Sequence, residues 1–327
     1  MNRPPIQRSP LHPTAFAVRR RLLVVVCLLI AVACTGELFA TSVPGESHVW
    51  LSPMPDRLPL VIGTEVGFVP AATLPSAVEA EAKQVDALFE HNRLGKLPIQ
   101  NGFARTFDAV TVTLDDQTQT TESLAPFAGG MLVSRGGQLV WSTAIEVADA
   151  YAVRLHLEEV KLPADAAIFV GDASGRTFGP FGAELQGPDG DIWLPPVWGS
   201  TAVVEIQVGE ASVRAGESLV FSLKEIVEIF EIGVNTKAWT DCDIDATCTD
   251  SGTLSMISDY YNAVAHLWFI DGSYAYICTG GLVNDTVGAS WIPYLLTAHH
   301  CFSTQAPASS LTAYFDFKTS TCDGTPP

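Results

Sequence analysis

Residues 278–301 read CTGGLVNDTVGASWIPYLLTAHHC. Two apolar runs, Tyr274–Leu282 and Ile292–Leu296, flank Asn284-Asp285-Thr286-Val287-Gly288, which has turn chemistry. The pattern predicts strand, turn, strand, and it ends on His299, His300 and Cys301. A cysteine–histidine cluster raises the question of a metal. Zinc sites take ligands at tight, paired spacings, such as two cysteines separated by two residues. The chain holds no such pair, so neither a metal nor a cofactor is expected. A histidine on an apolar strand can also be a core residue with both nitrogens satisfied. An imidazole held rigidly at the lip of a cleft has a third use: it can take the proton of a hydroxyl that is a poor nucleophile at neutral pH.

The stretch is similar to the segment of trypsin-type serine proteases that carries the catalytic histidine. In that family the histidine follows a barrel strand, and the next residue is a cysteine crosslinked to the preceding strand. The resemblance narrows to the bacterial lysyl-endopeptidase branch. It rests on Cys242 and Cys248 with five residues between them, on Cys278–Asn284, on Leu296–Cys301, and on Tyr314 to Cys322 with Ser320-Thr321-Cys322. It covers Cys242 to Pro327. It implies that His300 is the general base, because the family places its base next to the cysteine; His299 is the lesser candidate.

The cysteines have a second message. Setting aside Cys27 and Cys34, which lie near the N-terminus, leaves Cys242, Cys248, Cys278, Cys301 and Cys322. An odd number in an exported chain leaves one thiol over, and the residues alone do not choose among the possible pairings. The resemblance implies Cys278–Cys301 and Cys248–Cys322, with Cys242 unpaired here because its partner lies in a second barrel. That barrel would also bring the serine, the oxyanion hole and the specificity pocket. Asp316 and Asp323 lie too close to His300 for the family spacing, and no serine after residue 301 sits in a Gly-Asp-Ser-Gly context. The expectation is an N-terminal precursor fragment of a serine endopeptidase, inactive as written, whose substrate when complete is a polypeptide.

Residues 1–40 read as an export leader. Arg19-Arg20-Arg21 precedes the apolar run Leu22–Ala33, which at 12 residues is shorter than the roughly 20 a helix needs to span a bilayer. Secreted or periplasmic destinations follow, with lipid anchoring at Cys34 as the minor alternative. No later segment is long and apolar enough to span a membrane. Residues 1–40 hold five arginines and one glutamate, so without them the formal charge moves from −18 to −22. A chain this acidic has no electrostatic attraction to nucleic acid or anionic lipid. An oxidising compartment makes disulfides the natural state of its cysteines.

Between leader and histidine segment, residues 41–75 read as a linker rich in Pro, Ser and Gly. Ser76–Asn92 reads as a helix, with Ser76 and Glu79 as a capping box, Val78, Ala82, Val85, Leu88 and Phe89 on one face, and Gly95 just past its end. From Thr106 to Phe230 the pattern changes to strands. Val110, Val112 and Leu114 alternate with threonines, and Gln138–Ser142, Ala152–Leu157, Ala167–Gly171, Ala202–Val208 and Leu219–Ile229 follow. Turn residues separate them, among them Gly129-Gly130, Gly136-Gly137, Pro163-Ala164-Asp165 and Gly187-Pro188-Asp189-Gly190.

The expected fold is therefore mostly β: an antiparallel β-sandwich pro-region followed by an incomplete first barrel of a trypsin-like double-barrel domain. The expected division is leader 1–40, pro-segment 41–105, sandwich 106–232 and truncated protease domain 233–327. The sandwich resembles the pro-region found before proteases of this branch, which would pack on its own protease domain. His156, on an alternating strand beside Arg154, reads as solvent-facing. Trp141, Trp193 and Trp198 read as core rather than as a sugar platform. Lys237 lies five residues before Cys242 and is the expected maturation site if the complete enzyme cuts after lysine. The alternative reading is a non-enzymatic exported sandwich that binds protein or glycan and carries a relic protease-like tail.

Overall fold

Val110, Val112 and Leu114 are buried, and the threonines between them are exposed. This alternation fixes one strand of a two-sheet core. The computed structural model describes residues 70–231, 246–248, 262–284, 292–318 and 321–322. All belong to the compact unit Gly45–Pro327. The leader, residues 41–69, Lys237, Cys242 and most of the turn after Asn284 lie outside the described residues.

The elements begin with β1 (Pro70–Leu74), α1 (Ala77–Ala80), α2 (Ala82–Arg93) and β2 (Ile99–Leu114). They continue with β3 (Ala125–Phe127), β4 (Gly130–Arg135), β5 (Gln138–Val147), β6 (Ala152–Lys161), β7 (Ala167–Asp172) and β8 (Thr177–Phe181). Next come β9 (Ile192–Trp193), β10 (Val197–Trp198), β11 (Thr201–Gly209), α3 (Glu210–Arg214) and β12 (Leu219–Ile229). The C-terminal part holds β13 (Val264–Asp271), β14 (Tyr274–Val283), β15 (Tyr294–Thr297), α4 (Gln305–Ser309) and β16 (Thr312–Phe315).

One sheet runs β3-β4-β5-β11-β7-β8, and β1 joins β5. That last pairing is parallel; the others are antiparallel. The second sheet runs β10-β6-β12-β2-β14-β13-β16, with β9 on β6 and β15 on β14. The fold is mostly antiparallel β, with curled sheets and a half-barrel at the C-terminal end. Inward residues of β2, β6 and β12, such as Val153, Leu155 and Phe221, pack against Leu139, Trp141, Ile168 and Val204 of the facing sheet. Trp141 is fully buried, edge-on to Phe221 with ring centroids 5.3 Å apart. Its indole N–H donates to the Phe127 carbonyl at 2.9 Å, which is what lets so large a polar-tipped side chain sit in the core. The β4–β5 hairpin turns on Gly136 and Gly137, both at positive φ, where side chains are disfavoured.

Four expectations change. Residues 70–74, read as linker, form an edge strand on β5. Strand β2 begins at Ile99 and runs without a break through residue 106, where the sandwich was expected to start. The single helix is two pieces: Glu81 leaves helical geometry (φ −133°, ψ 35°), and Ser76 makes no side-chain cap. The cause is tertiary, because Arg105 binds the Glu81 carboxylate at 2.7 Å and the Pro75 carbonyl at 2.8 Å. Ala77, Val85 and Leu88 are buried, while Val78 is exposed and Phe89 is at the margin. Gly95, at φ 66°, ends the second piece as expected.

The fourth change concerns His156 and Arg154. Inward Val153, Leu155 and Leu157 put both on the outer face of the second sheet. That face is covered: Arg154 is 2% exposed and His156 9%. Arg154 donates to the Leu194 carbonyl (2.8 Å) and the Ser310 carbonyl (2.5 Å), so the C-terminal part lies over it. Burial pulls the Arg154 pKa down to about 10. Trp193 and Trp198, read as core, are only partly buried and pack in the same layer.

The sheet does not stop where the sandwich ends. Residues 274–277 of β14 pair with residues 99–103 of β2. The strand that carries Cys278 is thereby hydrogen-bonded into the sandwich.

Candidate active site

Strand β14 carries Cys278, and β15 runs antiparallel to it in a register that places Gly280 opposite Thr297 and Gly281 opposite Leu296. The chain then turns, with the Cys301 N–H donating to the Ala298 carbonyl at 2.9 Å. Cys278 and Cys301 form a disulfide with Cα atoms 6.1 Å apart, and Cys248 is bonded to Cys322. Cys301 is buried, and His299 and His300 are exposed. A ring nitrogen of His300 lies within 4.8 Å of both bridge sulfurs. The imidazole is therefore tethered at its neighbour yet open on its outer side.

The Cys-Thr-Gly-Gly block has a steric reason. A Cβ on Gly280 would stand 2.9 Å from Leu267 Cδ1 and 3.1 Å from the Leu296 carbonyl oxygen. Only glycine lets β13, β14 and β15 close up at this point. The Thr297 hydroxyl donates to the Thr279 carbonyl at 2.9 Å, fastening the end of β15 just ahead of the histidines.

Cys278, His300 and Cys301 are close enough to resemble a metal-ligand group. Both sulfurs are spent in a disulfide, and the thiolate is the form that binds metal. The chemistry left to the cluster is that of one accessible imidazole. Among the described residues no carboxylate binds that imidazole. Asp316 lies just past β16 at φ 55° and pairs with Lys318 instead.

Residues 237–327 match the family model for lysyl endopeptidase, C-terminal domain. The chain is also 31% identical over 185 residues to the lysyl endopeptidase of Pseudomonas aeruginosa. That alignment covers 53% of this chain and 38% of the relative, so it reaches well upstream of residue 237. The chain spans well under half the relative's length. The lysyl-endopeptidase-like segment contains the tethered His300, both disulfides and the half-barrel strands. No helix among the described residues is long and apolar enough to cross a membrane.

Strand β13 is the element next to the candidate site that sequence reading missed. Ala265–Ile270 lacks the alternation that marks a half-buried strand, because all but His266 are buried. The signal present was Gly272-Ser273, a two-residue hairpin turn pair, with Gly272 at φ 59°. His266 on this strand stacks on Phe317, with ring centroids 4.4 Å apart, and burial holds its pKa down at about 4. An unfolded histidine titrates near 6.5. Between pH 6.5 and 4 the unfolded chain therefore binds a proton that the folded chain refuses. Stability should fall as pH drops through that window, by up to about 3 kcal/mol from this group, and be unaffected by it at higher pH. Urea midpoints at pH 7 and pH 4.5 should show a smaller acid loss for His266→Gln than for the unaltered chain.

Proposed function

We propose that this chain is the N-terminal part of the precursor of an exported, trypsin-type serine endopeptidase of the lysyl-endopeptidase kind. Its parts are an export leader, a β-sandwich pro-region and the histidine-bearing first barrel of the protease. His300 is the general base: it takes the proton of a serine hydroxyl during attack and returns it to the leaving amine. The serine and the orienting aspartate come from sequence after Pro327. The substrate is a polypeptide. The observation that carries this reading is the exposed imidazole of His300, fixed beside the Cys278–Cys301 bridge within a segment that matches a protease family.

A second observation supports it. Leu282, Val283, Tyr294 and Leu296 expose large apolar surface at the paired ends of β14 and β15, next to the histidine turn. An exposed apolar patch of this kind calls for a covering element. In our reading the second barrel covers it, which puts His300 in the cleft between the two. The β2–β14 pairing is then the contact through which the pro-region holds its protease domain, and the bond after Lys237 is where the precursor is cut.

The 327-residue chain alone should not hydrolyse lysyl peptides faster than its His300→Ala form. The polypeptide continued through the serine segment should do so, and its mature form should begin at Ala238 on N-terminal sequencing. Hydrolysis by the 327-residue chain above the His300→Ala level would place the nucleophile within it and overturn the reading.

A further inference from the structure

We propose that His156, Glu158 and Glu225 form a binding site for a zinc-class divalent cation on the outer face of the sandwich. The three converge from the sheet register. Glu225 of β12 is the direct cross-strand partner of His156 on β6, and Glu158 lies two residues further along β6, on the same face. Trp193 of β9 is the partner of His156 on the other side. It stacks flat on the imidazole, with centroids 3.8 Å apart and planes within 5°, so the ring orientation is fixed.

His156 Nδ1 lies 3.1 Å from Glu225 Oε1 and 3.7 Å from Glu158 Oε1. A tetrahedral zinc ion with bonds of about 2.1 Å holds its ligand atoms about 3.4 Å apart, between those two distances. The opposite nitrogen, Nε2, faces Asp191 Oδ2 at 3.4 Å. Asp191 is itself oriented, because its other oxygen accepts the Glu159 N–H at 2.9 Å. A carboxylate behind a metal-bound imidazole is a common way to fix its tautomer.

The protein groups alone do not satisfy this histidine. The residue is 9% exposed, and among the described residues Nε2 has no hydrogen-bond partner. A neutral imidazole carries one proton but has carboxylate oxygens on both sides, so one lone pair always faces an anion. A dication at Nδ1 resolves the conflict: it takes that lone pair and both glutamates, and leaves the Nε2 proton for Asp191. Lys224 Nζ already sits 2.7 Å from Glu158 Oε2. It is half exposed, and it touches the oxygen that does not face the ring. The donor set selects the ion class, because imidazole nitrogen suits zinc-like metals whereas calcium and magnesium favour all-oxygen cages.

The test is calorimetric titration of the full 327-residue chain with Zn²⁺ alone at pH 7.5, with free thiols alkylated. One equivalent should bind and raise the unfolding temperature, and Mg²⁺ should do neither. Glu225→Gln keeps the side-chain shape and should weaken binding by on the order of 100-fold; Asp191→Asn should cost about 10–100-fold. No saturable zinc binding would overturn the proposal. Zinc binding unchanged in Glu225→Gln would overturn it too, because the ion would then sit elsewhere. Ring ¹⁵N shifts of His156 give a readout that does not depend on a variant folding: zinc should move Nδ1, and a shift confined to Nε2 would count against the site.

Discussion

In a polypeptide that carries the serine and aspartate as well, His300→Ala should lower kcat by on the order of 10⁶-fold and leave KM nearly unchanged. That is a barrier increase of about 8 kcal/mol. The size follows from doing two jobs with one group. Without the imidazole, the serine attacks with its proton still bound, and the amine leaves without receiving one. What survives is the contribution of peptide binding and the oxyanion hole, which this side chain does not touch. The geometry is suited to the role. The histidine follows the fastened end of β15, adjoins a buried half-cystine, and presents its ring outward. Steady-state kinetics on a fluorogenic lysyl peptide would measure the loss. A decrease of less than about tenfold would mean that the base is another residue.

Arg105→Met should reduce the free energy of unfolding by about 3–5 kcal/mol, read from urea denaturation at pH 7. Arg105 is 4% exposed and Glu228 1%. The guanidinium pairs with Glu228 across β2 and β12, with Glu81 at the break between α1 and α2, and with the Pro75 carbonyl. Burial pushes the Glu228 carboxyl above its ordinary pKa, and Arg105 opposes that push. Remove the arginine and a carboxylate remains in the interior with its main counter-charge gone. The sign with pH follows. A carboxyl whose folded pKa is raised is most favourable in its protonated state, so the variant should recover stability as pH falls from 7 toward 5. Replacing Glu228 by leucine in the same chain should restore much of the loss, because it removes the stranded charge. A cost below about 1 kcal/mol for Arg105→Met would show that the cluster is solvated rather than buried.

The sequence disclosed what depends on near neighbours. Val110, Val112 and Leu114 gave their strand by period-two alternation, and Gly136-Gly137 gave its hairpin by the positive φ that both residues adopt. The Cys-Thr-Gly-Gly and His-His-Cys blocks gave the turn that carries the candidate base. The misses depend on distant contacts. Ser76 and Glu79 satisfied a capping pattern, but Arg105, some 24 residues from Glu81, breaks the helix there. Alternation put Arg154 and His156 on the outer face and was correct about direction. It carried no information that residues 310–314 and Trp193 would cover that face. The pairing of β14 with β2 joins residues some 170 positions apart, and no local pattern encodes it. The His156 cluster escaped notice for the same reason: its members come from three strands and a turn.

The most direct measurement compares His299→Ala with His300→Ala in the extended polypeptide, on one lysyl peptide under identical conditions. The account predicts that His299→Ala keeps most of its rate and that His300→Ala loses on the order of 10⁶-fold, keeping only what peptide binding and the oxyanion hole supply. A His300→Ala enzyme that still cleaves, beside a His299→Ala enzyme that does not, would contradict it.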